Sequence, residues 1–357
     1  MIESLRTVSL GDLSDYARER VAAALAYPKD RLERHRIAVP ALDLDVWFSD
    51  PGLAELCTSR LVRRSDGAAS GNRARVYAID ATMDGWDKPA VWDIETGFTS
   101  RAFERELAAA GLRGFYHHDA PSWQLYDPEA AVGVHTLPAP RGIPPWELGS
   151  PLRLFLHWIY ASAGKRLTHA ATLGLDGRGV LIVGASGSGK SGTTLAGLMN
   201  GLTSAGDDYV MVEQGADIIA HAVFRVFKQD AGGLRRTGLT PGEVGAGDVN
   251  WHGKYEFDAR DLAPHAFAQR LLIQGVIMPE IARLPRTRIE LVSAQQAALA
   301  LAPSAVFQLP GDTNEGFRFF AQLARRLPAY RVRLSEDPSE IADAIALFLL
   351  QKPSDAR

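Results

Sequence analysis

Between Gly184 and Ser191 the chain reads Gly-Ala-Ser-Gly-Ser-Gly-Lys-Ser, which satisfies G-x-x-x-x-G-K-[S/T] at every fixed position. The spacing serves one chemistry. Glycines let the backbone turn tightly and aim successive N–H groups at phosphate oxygens with no Cβ in the way. A helix beginning near Lys190 adds free N–H groups and the positive end of its dipole, worth only about 0.3 to 2 kcal/mol per anion. Lys190 supplies a full charge for the β- and γ-phosphates, and Ser191 a hydroxyl for Mg²⁺. The candidate nucleotide-binding residues are Gly184, Ser186, Gly187, Ser188, Gly189, Lys190, Ser191 and Gly192. The apolar run Val180–Val183 before the loop reads as a buried strand, and Gly192 to Asn200 continues as a helix. A glycine-rich turn carrying an incidental lysine would not need these flanks.

A second feature, an acidic one, follows. Ala205-Gly-Asp-Asp-Tyr-Val-Met-Val212 places Asp207 23 residues after Gly184 and opens a short strand. Neighbouring side chains on a strand point to opposite faces, so only one of the pair can face phosphates squarely unless the two sit on a turn. Such a pair suits one carboxylate on a metal and one on an attacking hydroxyl. The competing reading is an exposed Asp-Asp turn.

Together, Thr168-His-Ala170, the run Gly179–Ser191 and Gly206-Asp-Asp-Tyr-Val210 resemble the HPr kinase/phosphorylase group, whose fold is shared with phosphoenolpyruvate carboxykinases. In that group a histidine sits on the strand before the loop, and here His169 precedes Gly184 by 15 residues. Ala302-Pro-Ser304, Phe307-Gln308 and Leu327-Pro-Ala-Tyr330 are also similar to HPr-kinase-like proteins of bacterial peptide-modification clusters. The resemblance spans roughly residues 152–350. It implies an ATP-dependent kinase with Asp207 as general base, Lys190 on the phosphates, and Ser191 with Asp208 on Mg²⁺. His169 would orient a carboxylate or assist proton transfer. The implied acceptor is a hydroxyl of a peptide, protein or small molecule, and relatives of this kind form homo-oligomers. The Glu-x-Arg-Gly-Leu-Gly-like segment of the HPr-modifying enzymes is missing, and Phe227–Arg236 stands in its place. HPr itself is therefore a poor guess for the acceptor. Lys228, Arg235 or Arg236 could supply a cation to the transferring phosphoryl group, or be solvated loop charges. An ATP-binding regulatory protein without transfer activity and a carboxykinase-like enzyme remain alternatives.

The elements that must hold these residues fall into two halves. From about Asp43 to Leu137 short β-like runs dominate, preceded by an amphipathic helix at Ser14–Tyr27. A helix at Thr99–Ala110, capped by Thr99 or Ser100, interrupts them. Leu137–Pro145 carries four prolines in nine residues and reads as a linker. This divides the chain into a smaller α+β domain, 1–145, for substrate recognition and an α/β domain, 146–357, of phosphate-loop kinase type. In the latter, Leu152–Ala163 reads as a helix, and Leu167–Leu175 and Gly179–Val183 as strands joined at Asp176-Gly-Arg-Gly179. Ser293-Ala-Gln-Gln296 and Asp337-Pro-Ser-Glu340 read as capping boxes.

Across 357 residues, 39 basic and 42 acidic side chains leave a net charge of −3, without the basic excess of nucleic-acid binders. One cysteine, Cys57, allows no internal disulfide. With no apolar run near the roughly 20 residues of a spanning helix and no signal-peptide core, the reading is cytoplasmic. His117-His118 lacks ligands at metal spacing. Glu280, ending the apolar run from Leu271, reads as a strand-end surface residue. Trp47, Trp86, Trp92, Trp123 and Trp146 imply a β-rich core with some exposed aromatic surface.

Overall fold

The computed structural model describes residues 6–351, apart from 65–69, 93–99, 263 and 307. The architecture is mixed α/β with several mixed sheets. The chain divides into two compact units. The first runs to Gly164 and takes in Leu309–Thr313, and the second holds the remainder. The proline-rich stretch 137–145 therefore lies inside the first unit, and the division comes after the helix that the sequence assigns to the second domain.

The first unit opens with strand β1 (Thr7–Val8) and helix α1 (Leu13–Ala26). Leu13, Tyr16, Ala17, Arg20, Val21 and Ala24 are the buried positions of α1, the three- and four-residue spacing of a single stripe. Strands β2 (Glu33–Val39) and β3 (Leu42–Phe48) precede helix α2 (Pro51–Arg60). Strands β4 (Arg73–Asp80) and β5 (Val91–Trp92) lead to helix α3 (Ser100–Ala109). Ser100 is already helical, and Thr99, the other capping candidate, lies outside the described residues. Strands β6 (Arg113–His117), β7 (Ser122–Asp127) and β8 (Val132–Leu137) follow, then helix α4 (Arg153–Ser162). Six of the strands form one sheet in the order β2-β3-β4-β8-β7-β6. The core is aromatic: Trp92, Trp123, Phe103, Tyr16 and Tyr116 pack together, and Trp123 Nε1 donates to the Ala90 carbonyl at 2.7 Å. Trp86 is buried as well, and Trp47 and Trp146 are half-buried. Trp47 and Trp146 thus leave some aromatic surface at the exterior of an otherwise buried set, as the sequence leads one to expect.

Beneath β7 lies a buried polar network. The Gln124 amide donates to both Glu147 oxygens at 2.8 Å, and His117 Nε2 stands 3.3 Å from Glu147. His118 is exposed. Burial disfavours the charged form of His135 and lowers its pKa to about 4. Burial would raise Glu147, but the His117 contact and the nearby Arg153 charge bring it down to about 2. As pH falls, the unfolded chain protonates histidine near 6.5, before the folded chain can. The His135 contribution is thus whole above pH 6.5 and declines toward pH 4, while that of Glu147 is whole above pH 4.5 and declines toward pH 2. Urea unfolding followed by tryptophan fluorescence is expected to show a loss of about 2–3 kcal/mol between pH 7.5 and 4.5. His135→Gln should remove most of that slope, and an equal slope in the variant would refute the assignment.

The second unit starts with β9 (Arg166–Thr168), β10 (Ala171–Leu175), β11 (Arg178–Ile182) and helix α5 (Lys190–Met199). Next come β12 (Val210–Gln214), β13 (Ile218–Ala222), β14 (Val226–Gln229), α6 (Ala231–Arg236), β15 (Tyr255–Asp258) and α7 (Ala259–Leu262). The remainder is β16 (Arg270–Leu284), β17 (Arg288–Val292), α8 (Ala294–Leu301), α9 (Pro303–Val306), α10 (Thr313–Arg326, all but its first residue in this unit), β18 (Ala329–Ser335) and α11 (Pro338–Leu350). The sheet order is β10-β11-β16-β13-β12-β9, with β18 alongside β16. Strands β11, β16 and β18 run parallel, so their carboxyl ends share one edge, where open α/β sheets bind ligands. Val180, Ile182, Ile277, Val332 and Leu334 meet Ala196 of α5 and Ile341 and Ile345 of α11 in the core.

Asp176 and Gly177, at φ 51° and 76°, close β10 onto β11 with a two-residue turn, the left-handed pair that an Asp-Gly hairpin favours. The capping box at Ser293 forms as read. The one at Asp337 does not: Asp337 accepts from Ser339 N, but Glu340 turns away to accept from the Thr287 amide and hydroxyl. Nor is Leu167–Leu175 one strand. β9 pairs with β12 and β10 pairs with β11, and the chain breaks between them at His169-Ala170. Among the described residues, no helix is long and apolar enough to cross a membrane.

Candidate functional site

The glycine-rich loop leaves the carboxyl end of β11 and enters α5. Gly184, Gly187 and Gly189 hold φ of 144°, 79° and 107°, values that side chains with a Cβ adopt at a cost. Gly189 is also the α5 N-cap, and a methyl built on it would stand 3.0 Å from Leu334 Cδ1. The loop is thereby seated on β18, while Ser186 and Gly187 are exposed at its tip. Lys190 Nζ donates back to the Gly184 carbonyl at 2.7 Å and the Ala185 carbonyl at 3.2 Å. Burial lowers the lysine pKa, against the pull of Asp208 and Asp207. Ser188 Oγ is buried with no hydrogen-bond partner among the described residues.

The break after β9 positions the histidine. Thr168 pairs with Val210 across the antiparallel β9–β12 ladder, so the next residue, His169, comes level with the residues preceding Val210. Its ring packs on Tyr209 at 5.3 Å, and Nε2 lies 3.0 Å from Asp208 Oδ1. Its backbone N–H donates to Ser304 Oγ, and Tyr209 Oη donates to Gln308 Oε1. The late segment 302–308 thus fixes the histidine from behind, although Phe307 lies outside the described residues.

Buried hydroxyls aim the two aspartates. Ala205 N donates to Thr172 Oγ1 and Gly206 N to Ser204 Oγ, while Thr172 N donates to the Gly206 carbonyl. This ties 204–206 to β10 and puts Asp207 and Asp208 on a bend just before β12. Being on a bend, they escape the strand rule and both turn toward Lys228. Asp207 Oδ2 accepts from Lys228 N at 3.0 Å, and Asp208 Oδ2 from Lys228 Nζ at 2.9 Å.

The pair is electrostatically split. Burial, then the Asp208 charge, raises the pKa of Asp207, against the Lys228 N–H, the Lys254 charge and the nearby Ser191 hydroxyl. For Asp208 the same burial is overcome by Lys228 and His169, which hold it well below the usual carboxylate range. Asp207 Oδ1 is buried with no partner among the described residues. One carboxylate inclined to take a proton thus sits beside one that stays ionised, a division typical of acid–base pairs.

Compared with models of known protein families and with curated proteins, the chain matches none. The functional reading therefore rests on this geometry. The sequence brought forward the loop, His169 and the aspartates, and they converge. It offered Lys228 only as one of three loop cations, and its contacts to both aspartates come from β14 docking beside them. Ser304 entered the sequence analysis only within the Ala302–Ser304 resemblance, without a role, and Gln229 only as part of the Phe227–Arg236 stretch. Glu280 is exposed within β16 rather than at its end, between Arg331 and Arg333 at 3.6 and 3.5 Å.

Proposed function

We propose that the chain is a cytoplasmic, ATP- and Mg²⁺-dependent phosphotransferase of HPr-kinase-like type, acting on a hydroxyl of a peptide, protein or small molecule. The observation that carries the reading is the split carboxylate pair beside a glycine-rich loop at a strand's carboxyl end. The donor set fits the ligands. Ser191 and the aspartates are hard oxygen donors of the kind magnesium takes, and the loop offers backbone N–H groups with an unpartnered hydroxyl at Ser188. Ser191 and Asp208 would hold the ion, which when bound neutralises phosphate charge.

Asp207 Oδ1 would accept the proton of the acceptor hydroxyl as that oxygen bonds to the γ-phosphorus and the bond to the β-phosphate oxygen breaks, releasing the diphosphate. Lys190 would leave the loop carbonyls for the phosphates. His169 and Lys228 would keep Asp208 ionised and in place. The proximity of the Ser191 hydroxyl to Asp207 favours a second reading in which Asp207 joins Ser191 on the metal and Asp208 with His169 handles the proton. The function is tested by incubating the protein with γ-labelled ATP, Mg²⁺ and a cell extract. Label on a peptide, protein or metabolite is the expected result. Saturable ATP binding with no labelled acceptor would favour a nucleotide-dependent regulatory protein.

A further inference from the structure

We infer that Gln229 and Arg236 form a second wall of the phosphate site, with Arg236 placed to contact the terminal phosphoryl group. The inference rests on the reading of the loop as a nucleotide site. A methyl built on Gly192, in the first turn of α5, would stand 3.9 Å from Gln229 Nε2 and 4.0 Å from Arg236 Nη2. Two donors from a different part of the chain thus converge on the helix end where phosphate oxygens would be received.

The side chain of Gln229 is committed in a telling way. It is 3% exposed, its Oε1 accepts from Asp230 N at 2.9 Å, and its Nε2 is buried without a partner among the described residues. A buried amide donor left unpaired costs free energy unless something accepts from it. Its neighbour Lys228 points the other way, to Asp208, as alternation along β14 requires. Room for Gln229 is made by Gly233, where a methyl would collide with the amide carbon at 2.2 Å.

Arg236 is delivered by α6. Asp230 caps that helix by accepting from Gly233 N at 2.6 Å, so the strand end carrying Gln229 and the helix carrying Arg236 are tied at one residue. Arg236 is exposed, and no carboxylate pairs with it among the described residues. Arg235, its neighbour, is also exposed, but only Arg236 comes within 4.0 Å of the Gly192 methyl position. A guanidinium presents a rigid planar fork that pairs side by side with two phosphate oxygens, a geometry an ammonium lacks. The terminal phosphoryl group carries the most charge, and its loss on going from triphosphate to diphosphate gives the contact a readout.

The experiment is calorimetric titration of full-length wild type, Arg236→Ala, Arg236→Lys and Gln229→Leu with Mg·ATP and Mg·ADP. Arg236→Ala is expected to weaken Mg·ATP about 10- to 100-fold and Mg·ADP less than about threefold, with Arg236→Lys between. Gln229→Leu should weaken both nucleotides about tenfold, the loss of one donor to a charged group. Since Arg236 is exposed, its variants test the inference even if Gln229→Leu misfolds. If Arg236→Ala binds Mg·ATP as wild type does, or loses both nucleotides equally, the assignment of Arg236 is overturned while the nucleotide site stands. If wild type binds neither nucleotide, the site reading fails and this inference with it.

Discussion

Lys190→Ala is expected to weaken Mg·ATP binding by at least about 100-fold while leaving the fold intact. The ammonium is the one charge that the loop motif itself brings to the phosphates, and a charge-assisted hydrogen bond contributes about 1.5–3 kcal/mol. Two such contacts, to the β- and γ-phosphates, exceed a factor of 100 even at the low end. The folded protein has little to lose. Lys190 Nζ satisfies only loop carbonyls, and burial already disfavours its charged form. Its removal should therefore shift the thermal midpoint by only about 2 °C or less. Calorimetry and a melting curve on the same sample check both halves. A variant that binds Mg·ATP like wild type would remove the loop from the proposal, and one that unfolds would mark Lys190 as structural.

Much of this site could be read from local signals, and the remainder depended on contacts distant in sequence. The loop is legible because every demand it meets is local: glycines at left-handed φ, a lysine and a hydroxyl at the start of the next helix. Asp176-Gly177 and Ser293–Gln296 are legible for the same reason, since each closes its own turn or cap. The break at His169-Ala170 is not. Leu167-Thr-His-Ala-Ala-Thr-Leu looks continuous, and what divides it is the choice of β12 as partner for one half and β11 for the other. Glu340 likewise had two acceptable partners, its own helix cap and Thr287, and tertiary position selected Thr287. The first unit misled in another way. Four prolines between Leu137 and Pro145 stiffen a segment whether it links domains or crosses the surface of one, and only packing separates the two cases. The same limit applied to Lys228 and Gln229. A strand-end lysine and glutamine are ordinary residues until β14 brings one against the aspartates and the other toward Gly192.

Asp207→Asn is expected to keep Mg·ATP binding within about threefold and to lower the transfer rate by about 10²- to 10⁴-fold, the range of a general base. The substitution keeps the shape, and an amide oxygen can still accept from Lys228 N as the carboxylate now does. What disappears is a buried oxygen able to take a proton. The raised pKa of Asp207 gives a further signature. Transfer in wild type should fall as pH drops through that raised value, because the protonated carboxyl cannot act as a base. In Asp207→Asn the residual rate should lose that acid limb. Asp208→Asn behaves differently under the same reading: with Lys228 and His169 deprived of their shared anion, the Mg²⁺ concentration needed for half-maximal rate should rise. If instead Asp207→Asn raises the Mg²⁺ requirement and Asp208→Asn abolishes the acid limb, the roles are exchanged and the histidine dyad is the proton acceptor. Normal turnover by Asp207→Asn together with an unchanged metal requirement would exclude Asp207 from the chemistry altogether. The shared bend and the shared lysine fit both assignments. What separates them is which oxygen is left without a donor, and that oxygen is Asp207 Oδ1.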